Sequence, residues 1–131
     1  MIAIDTNVLV RLFVEDEPSQ TVIAKKLFSE NEIFVPVTVL LETEWVLRDA
    51  FGKSRLEIAT AFDLLGNLPN VTLAEASAVE RAMAWSRSGL DFGDALHLAL
   101  SSEVEGLATF DQPFARKAAK ITDAVPVFSA R

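Results

Sequence analysis

The sequence predicts an α/β fold on a parallel sheet of about five strands, and three observations lead there. Short β-rich runs alternate with longer stretches of helical periodicity, the pattern of α/β units. Two of those runs, Met1-Ile2-Ala3-Ile4-Asp5 and Leu107-Ala108-Thr109-Phe110-Asp111, pass from apolar residues straight into a single aspartate. Ligands in open α/β sheets sit outside the carboxyl ends of strands, so that placement carries information. The third observation is size. A chain of 131 residues, 50% apolar and 24% charged, suits one domain over 1–131. Folding at this length hides roughly two-thirds of the surface that the unfolded chain exposes.

The first strand is expected over Ile2–Ile4, with a helix from about Val8. Pro18 suits a break before a second helix over Ser19–Ser29, where Val22, Ile23, Lys26 and Leu27 form one mostly apolar face. Ile33–Val35 reads as strand two. Pro36 can open a helix, and Leu40, Leu41, Val46 and Leu47 stand at helical spacing through Val37–Ala50, which Gly52 ends. Ser54 with Glu57 three residues on makes a capping box for a helix reaching Gly66, its apolar positions Leu56, Ala59, Ala61, Phe62 and Leu65. Val71–Leu73 is a third strand. A helix over Glu75–Ser88 stops before Gly89, another runs from near Phe92 to about Val104, and Leu107–Phe110 is strand four. Val125–Phe128 is a fifth strand at an edge, where Pro126 is tolerable. The chain shows no internal repeat, low-complexity tract or linker.

Composition removes several chemistries. With no cysteine there is no disulfide scaffold, no thiol nucleophile and no cysteine-based zinc or iron–sulfur site. A single histidine, His97, cannot supply a histidine pair for metal-free RNA cleavage or an HExxH zinc motif. No export signal is read at the start, since Asp5 interrupts the first apolar stretch, and Glu42 and Glu44 interrupt the longest apolar run, so a cytoplasmic protein without a membrane role is expected. The net charge of −7 argues against a broad basic surface for nucleic acid, yet acids gathered around a cation can reverse the sign locally.

Carboxylates are therefore the abundant chemical groups. Asp5 and Asp111 end strands, and each could equally cap a following helix. Glu42 lies inside the apolar stretch Val37-Thr38-Val39-Leu40-Leu41, where a buried carboxylate needs a partner or a cation; the alternative is an amphipathic helix edge. Glu44 stands one turn before Arg48 in the favourable order and reads as a solvated ion pair. In Gly89-Leu90-Asp91-Phe92-Gly93-Asp94-Ala95-Leu96-His97, Asp91 is the natural N-cap and Asp94, at the third helical position, the better ligand candidate. His97 shares a face with Asp94 and either bonds a carboxylate or packs, because oxygen-rich Mg²⁺ sites seldom recruit imidazole.

The segments Asp5-Thr6-Asn7-Val8-Leu9, Leu41-Glu42-Thr43-Glu44-Trp45-Val46-Leu47, Asp91-Phe92-Gly93-Asp94-Ala95-Leu96-His97 and Thr109-Phe110-Asp111 resemble the four acidic motifs of PIN-domain ribonucleases. The likeness is greatest to the VapC-type toxins of toxin–antitoxin pairs. It implies a three-layer α/β/α sandwich around the parallel sheet, with Asp5, Glu42, Asp94 and Asp111 converging at its carboxyl edge. It also implies that Asp5 and Asp94 are the main contacts to Mg²⁺, or to Mn²⁺ in its place. Glu42 would bind the metal or orient its water, and Asp111 would support a second cation or the hydrogen bonding. Thr6, Asn7 and Thr109 would hold the acids in place. Thr43-Glu44 departs from the apolar pair common in relatives, which raises the question of which glutamate faces the site; spacing to Trp45 and the Glu44–Arg48 pair favour Glu42.

The same resemblance implies endonucleolytic cleavage of single-stranded RNA, with tRNA, rRNA or mRNA as targets, leaving a 5′-phosphate and a 3′-hydroxyl. It implies an antitoxin protein that covers the site, and a homodimer, for which Leu12, Phe13 and Phe28 are contact candidates if they are not core. Lys53, Arg55, Arg116, Lys117 and Lys120 are candidates for RNA backbone contact. The alternative within the fold is a PIN-like domain that binds RNA or protein without cutting. A signalling receiver domain fits poorly, because Thr6-Asn7 follows Asp5 where an acid pair belongs and Val71-Thr72-Leu73 ends in no aspartate. A dehalogenase-type phosphatase lacks its second aspartate at position 7.

Overall fold

The computed structural model describes residues 1–130 and divides into two compact units, one over Met1–Ala76 and one from Ser77 onward. The first unit runs β1 (Ile2–Ala3), α1 (Thr6–Phe13), α2 (Pro18–Glu30), β2 (Ile33–Val35), α3 (Val37–Asp49), α4 (Arg55–Gly66) and β3 (Val71–Leu73). Its three strands are parallel in the order β1-β2-β3, with Ile2 opposite Ile33 and Val35 opposite Leu73. Ile33 and Val35 on the central strand are fully buried, as expected where helices cover a parallel sheet. Helix α1 packs on α2 and α3, and Leu9, Leu40, Leu47 and Phe62 form the centre of this core.

The second unit runs α5 (Ala76–Arg87, its first residue shared with the boundary), α6 (Phe92–Ala99), β4 (Leu107–Thr109), α7 (Gln112–Ala118) and β5 (Val127–Ser129). Strands β4 and β5 pair in parallel, Leu107 opposite Val127. Val79, Ala82, Ala95, Leu96 and Leu98 are buried here.

All five expected strands are present, and every pairing is parallel, but the ladders number three strands and two rather than one sheet of five. The α/β class stands. The capping box at Ser54 is complete: the Ser54 hydroxyl accepts from the Glu57 amide at 3.1 Å and the Glu57 carboxylate accepts from the Ser54 amide at 3.0 Å. Gly52 and Gly89 take the positive φ values of 64° and 110° that follow α3 and α5, a conformation glycine adopts without steric cost.

Several expectations are corrected. Helix α1 starts at Thr6, not near Val8, because Asp5 caps it. Helix α6 stops at Ala99 rather than reaching Val104. Ser101 turns its hydroxyl back to the His97 carbonyl at 2.8 Å and its amide to the Leu98 carbonyl, which tightens and ends the last turn. β5 lies two residues later than expected, beyond Pro126. On α2 the buried face is Thr21, Ala24 and Phe28, while Val22 and Ile23 are exposed. Phe28 is buried, and Leu12 and Phe13 are half-buried, so none of the three proposed dimer contacts is an exposed apolar residue. With Leu64, Leu65 and Leu68 of the α4 region they line an open groove of about 960 Å³.

Candidate active site

In the first unit the site is built at the end of β1. The chain leaves the strand through buried Ile4, and Asp5 caps α1 by accepting from the Val8 amide on Oδ1 at 3.2 Å. The cap uses one carboxylate oxygen and fixes the side chain at the start of the helix. Thr6, the next residue, donates its hydroxyl to Glu42 Oε1 at 3.1 Å, joining α1 to α3 across 36 residues of sequence. Asn7 is exposed on the same first turn.

Glu42 is exposed, so it is the amphipathic edge of α3 rather than a buried carboxylate. The buried glutamate is Glu44. Its side chain is only 5% exposed and is forked by Arg48, Nε to Oε2 at 3.0 Å and Nη2 to Oε1 at 3.3 Å. The predicted i,i+4 pair exists, but Glu44 is not solvated, because the face that carries it also carries buried Leu40, Thr43 and Leu47. Two residues before Glu44, on the open side of the helix, Glu42 keeps company with Thr38 and Trp45, both exposed.

In the second unit three aspartates gather. Asp91 caps α6 by accepting from the Asp94 amide at 3.1 Å, and Asp111 caps α7 by accepting from the Phe114 amide at 3.0 Å. Thr109 Oγ1 accepts from the Asp111 amide at 3.0 Å and fixes the turn out of β4. Asp94, half-buried at the third position of α6, has its carboxyl pushed above the usual aspartate value. Burial is the main cause, the charges of Asp91 and Asp111 add to it, and His97 and Lys117 pull the other way. Like charges held beside a partly desolvated acid are the setting that a cation relieves. His97 is exposed on the last turn of α6. Lys117 reaches the Gly89 carbonyl at 3.4 Å, at the loop that leads into Asp91.

Among the described residues no three histidine, aspartate or glutamate side chains already form a metal cage. The donors present still suit Mg²⁺ or Mn²⁺: all are hard carboxylate oxygens, and Mg²⁺ is held through one or two carboxylates while keeping several waters. Asp94, pushed up by burial and by the charges of Asp91 and Asp111, is the acid whose repulsion a cation would offset.

A PIN domain family model matches residues 2–120. The chain belongs to the PIN domain family. The match runs through both units and includes all four acidic motifs. No curated protein matches the chain. Among solved structures it is similar to the crystal structure of Mycobacterium tuberculosis VapC20, a sarcin–ricin loop cleaving toxin. The two are 24% identical over 96% of this chain and 100% of that one, with a TM-score of 0.43.

Sequence reading of this PIN chain missed two features. One is the burial of Glu44, for which the signal was present: Glu44 shares a helical face with Leu40, Leu47 and Thr43, and Glu42 does not. The other is Trp45, a residue 56% exposed one turn beyond Glu42.

Proposed function

We propose that the protein is a divalent-metal-dependent endoribonuclease, the VapC-type toxin of a toxin–antitoxin pair, with Asp5, Glu42, Asp94 and Asp111 as its catalytic acids. The observation that carries the reading is the half-buried Asp94 kept beside Asp91 and Asp111. Such repulsion gives the fold nothing, and a bound cation would relieve it.

Mg²⁺ or Mn²⁺, when bound, supplies electrophilic stabilisation for phosphodiester hydrolysis and offsets the charge of a polyanionic substrate. Asp5 and Asp94 are the residues that would hold it, with Asp111 in support. The chain does the positioning. Asp5 is anchored through the Val8 amide, and Asp111 through the Phe114 amide and Thr109. The Thr6 hydroxyl holds one oxygen of Glu42, leaving the other to orient the attacking water or accept its proton. Oxygens fixed before substrate arrives need no reorganisation during the reaction.

The substrate is RNA, single-stranded or exposed in a folded tRNA, rRNA or mRNA, with Arg55, Arg116 and Lys120 as exposed candidates for backbone contact. The partner is an antitoxin protein that restrains the activity in the cytoplasm, and the protein acts as a homodimer. No helix among the described residues is long and apolar enough to cross a membrane.

The test is cleavage of a panel of single-stranded RNAs and tRNAs by wild type and Asp94→Asn in Mg²⁺, Mn²⁺ and EDTA, with product ends mapped. Cleavage that requires both metal and Asp94 and leaves 5′-phosphates is expected. Metal-independent cleavage with cyclic phosphate ends would refute the mechanism.

A further inference from the structure

The chain has two tryptophans, and they are treated oppositely. Trp85 on α5 is buried at 7% exposure, while Trp45 on α3 stands 56% in solvent. Leaving an indole in water forgoes the burial that makes tryptophan worth carrying, and its ring is the largest flat apolar surface a side chain offers. Its position is specific. Trp45 follows Glu42 by one helical turn, on the face that also exposes Thr38, while the opposite face carries buried Leu40, Thr43, Glu44 and Leu47. Glu42 accepts a hydrogen bond from Thr6, the residue next to Asp5.

An exposed aromatic beside a carboxylate that handles phosphodiesters matches the chemistry by which unpaired bases are held. Every base has a π-face, a ring stacks on it without reading sequence, and the backbone alone offers this acidic protein little attraction. A duplex keeps its bases stacked on one another and cannot use such a platform. We infer that Trp45 is the stacking platform for an unpaired base of the RNA substrate, adjacent to the phosphodiester handled at Glu42. This rests on the ribonuclease reading and adds to it a single-strand-selective contact and the residue that makes it.

The contact is a binding contact, so its loss appears in KM. Trp45→Ala raises KM for single-stranded RNA about 5- to 100-fold with kcat changed much less, and Trp45→Phe recovers most of the loss. A second arm needs no turnover. Short single-stranded RNA titrated onto Asp94→Asn protein in Mg²⁺ quenches the emission of Trp45, the same sequence as a duplex does not, and the quench vanishes when Trp45→Phe is added. If wild type cleaves no RNA while the quench is present, the nuclease reading fails and the stacking inference survives. Unchanged KM in Trp45→Ala together with a quench that persists in Trp45→Phe overturns the inference. So does sedimentation showing that Trp45→Ala converts dimer to monomer with RNA affinity unaltered, which assigns the indole to a second copy of the chain.

Discussion

Arg48→Met separates the two glutamates of α3 by their energetics. The substitution keeps the aliphatic stem and removes the guanidinium, leaving Glu44, 5% exposed, with no forked donor from Arg48. Breaking one side of a fully buried pair costs about 3–5 kcal/mol, and an exposed pair about 0–1 kcal/mol. Arg48 is itself 38% exposed, so water can reach part of the gap. The expected cost is therefore intermediate, about 2–3 kcal/mol. With a urea slope of about 1.5 kcal/mol/M for a chain of this size, the midpoint falls by about 1–2 M.

The double variant Arg48→Met with Glu44→Gln recovers more than half of the loss, because the buried charge leaves with its partner. Glu44→Gln alone keeps its RNA cleavage once folded, whereas Glu42→Gln folds normally and loses cleavage about a hundredfold or more. An Arg48→Met midpoint indistinguishable from wild type would show that the pair is solvated and the structural assignment of Glu44 wrong. A folded Glu44→Gln protein that is inactive, beside an active Glu42→Gln, would reverse the roles given to the two residues.

Thr6→Val removes the hydroxyl that holds Glu42 and lowers cleavage about 10- to 100-fold without lowering thermal stability by more than a few degrees, read by initial rates and a melt in parallel. Asp94→Asn abolishes cleavage and, without metal, is more stable than wild type at neutral pH. The carboxyl of Asp94 is raised in the folded state, so wild type loses stability as pH rises from the ordinary aspartate value through the raised one; urea melts in EDTA from acid to neutral pH follow that difference, which disappears in the asparagine variant. Ser54→Ala removes the acceptor of the α4 capping box and costs about 0.5–2 kcal/mol by urea denaturation. Glu57, held below its ordinary value chiefly by the Ser54 amide, which alanine retains, contributes at neutral pH and ceases to as pH falls through its lowered value, so wild type and Ser54→Ala both lose that contribution in acid.

Much of the fold is legible in the sequence because its signals are local. Ser54 and Glu57, Gly52, Gly89, Pro18 and the β-rich run Ile33–Val35 each act within a few residues, and each marks a boundary to within a residue or two. What sequence misses depends on which face of a helix meets a neighbour. Val22 and Ile23 are the most apolar positions of α2, yet the smaller Thr21 and Ala24 are turned inward with Phe28, where α2 packs on α1. The same limit applies to Glu42 and Glu44. Both are glutamates in an apolar stretch, and only the orientation of α3 makes the first an exposed group beside Thr6 and the second a buried partner of Arg48.

The acids of the candidate site also show why a capping reading and a ligand reading of a strand-end aspartate need not compete. Asp5, Asp91 and Asp111 each accept a hydrogen bond from a backbone amide two or three residues into the following helix, as structural caps do. A cap occupies one oxygen, fixes the rotamer and sets the carboxylate at the N-terminal end of a helix. For Asp5 and Asp111 the second oxygen lies outside that bond, on a side chain already oriented, which is what a cation or a water needs from a ligand. Asp94 lacks that support: it is half-buried, it does not cap, and burial together with the charges of Asp91 and Asp111 outweighs the opposing pull of His97 and Lys117 and raises its affinity for a proton. The groups that stabilise the fold are thus the anchored acids. The one that destabilises it is the acid with most to gain from a bound metal, and for that reason loss of Asp94 separates stability from activity most sharply.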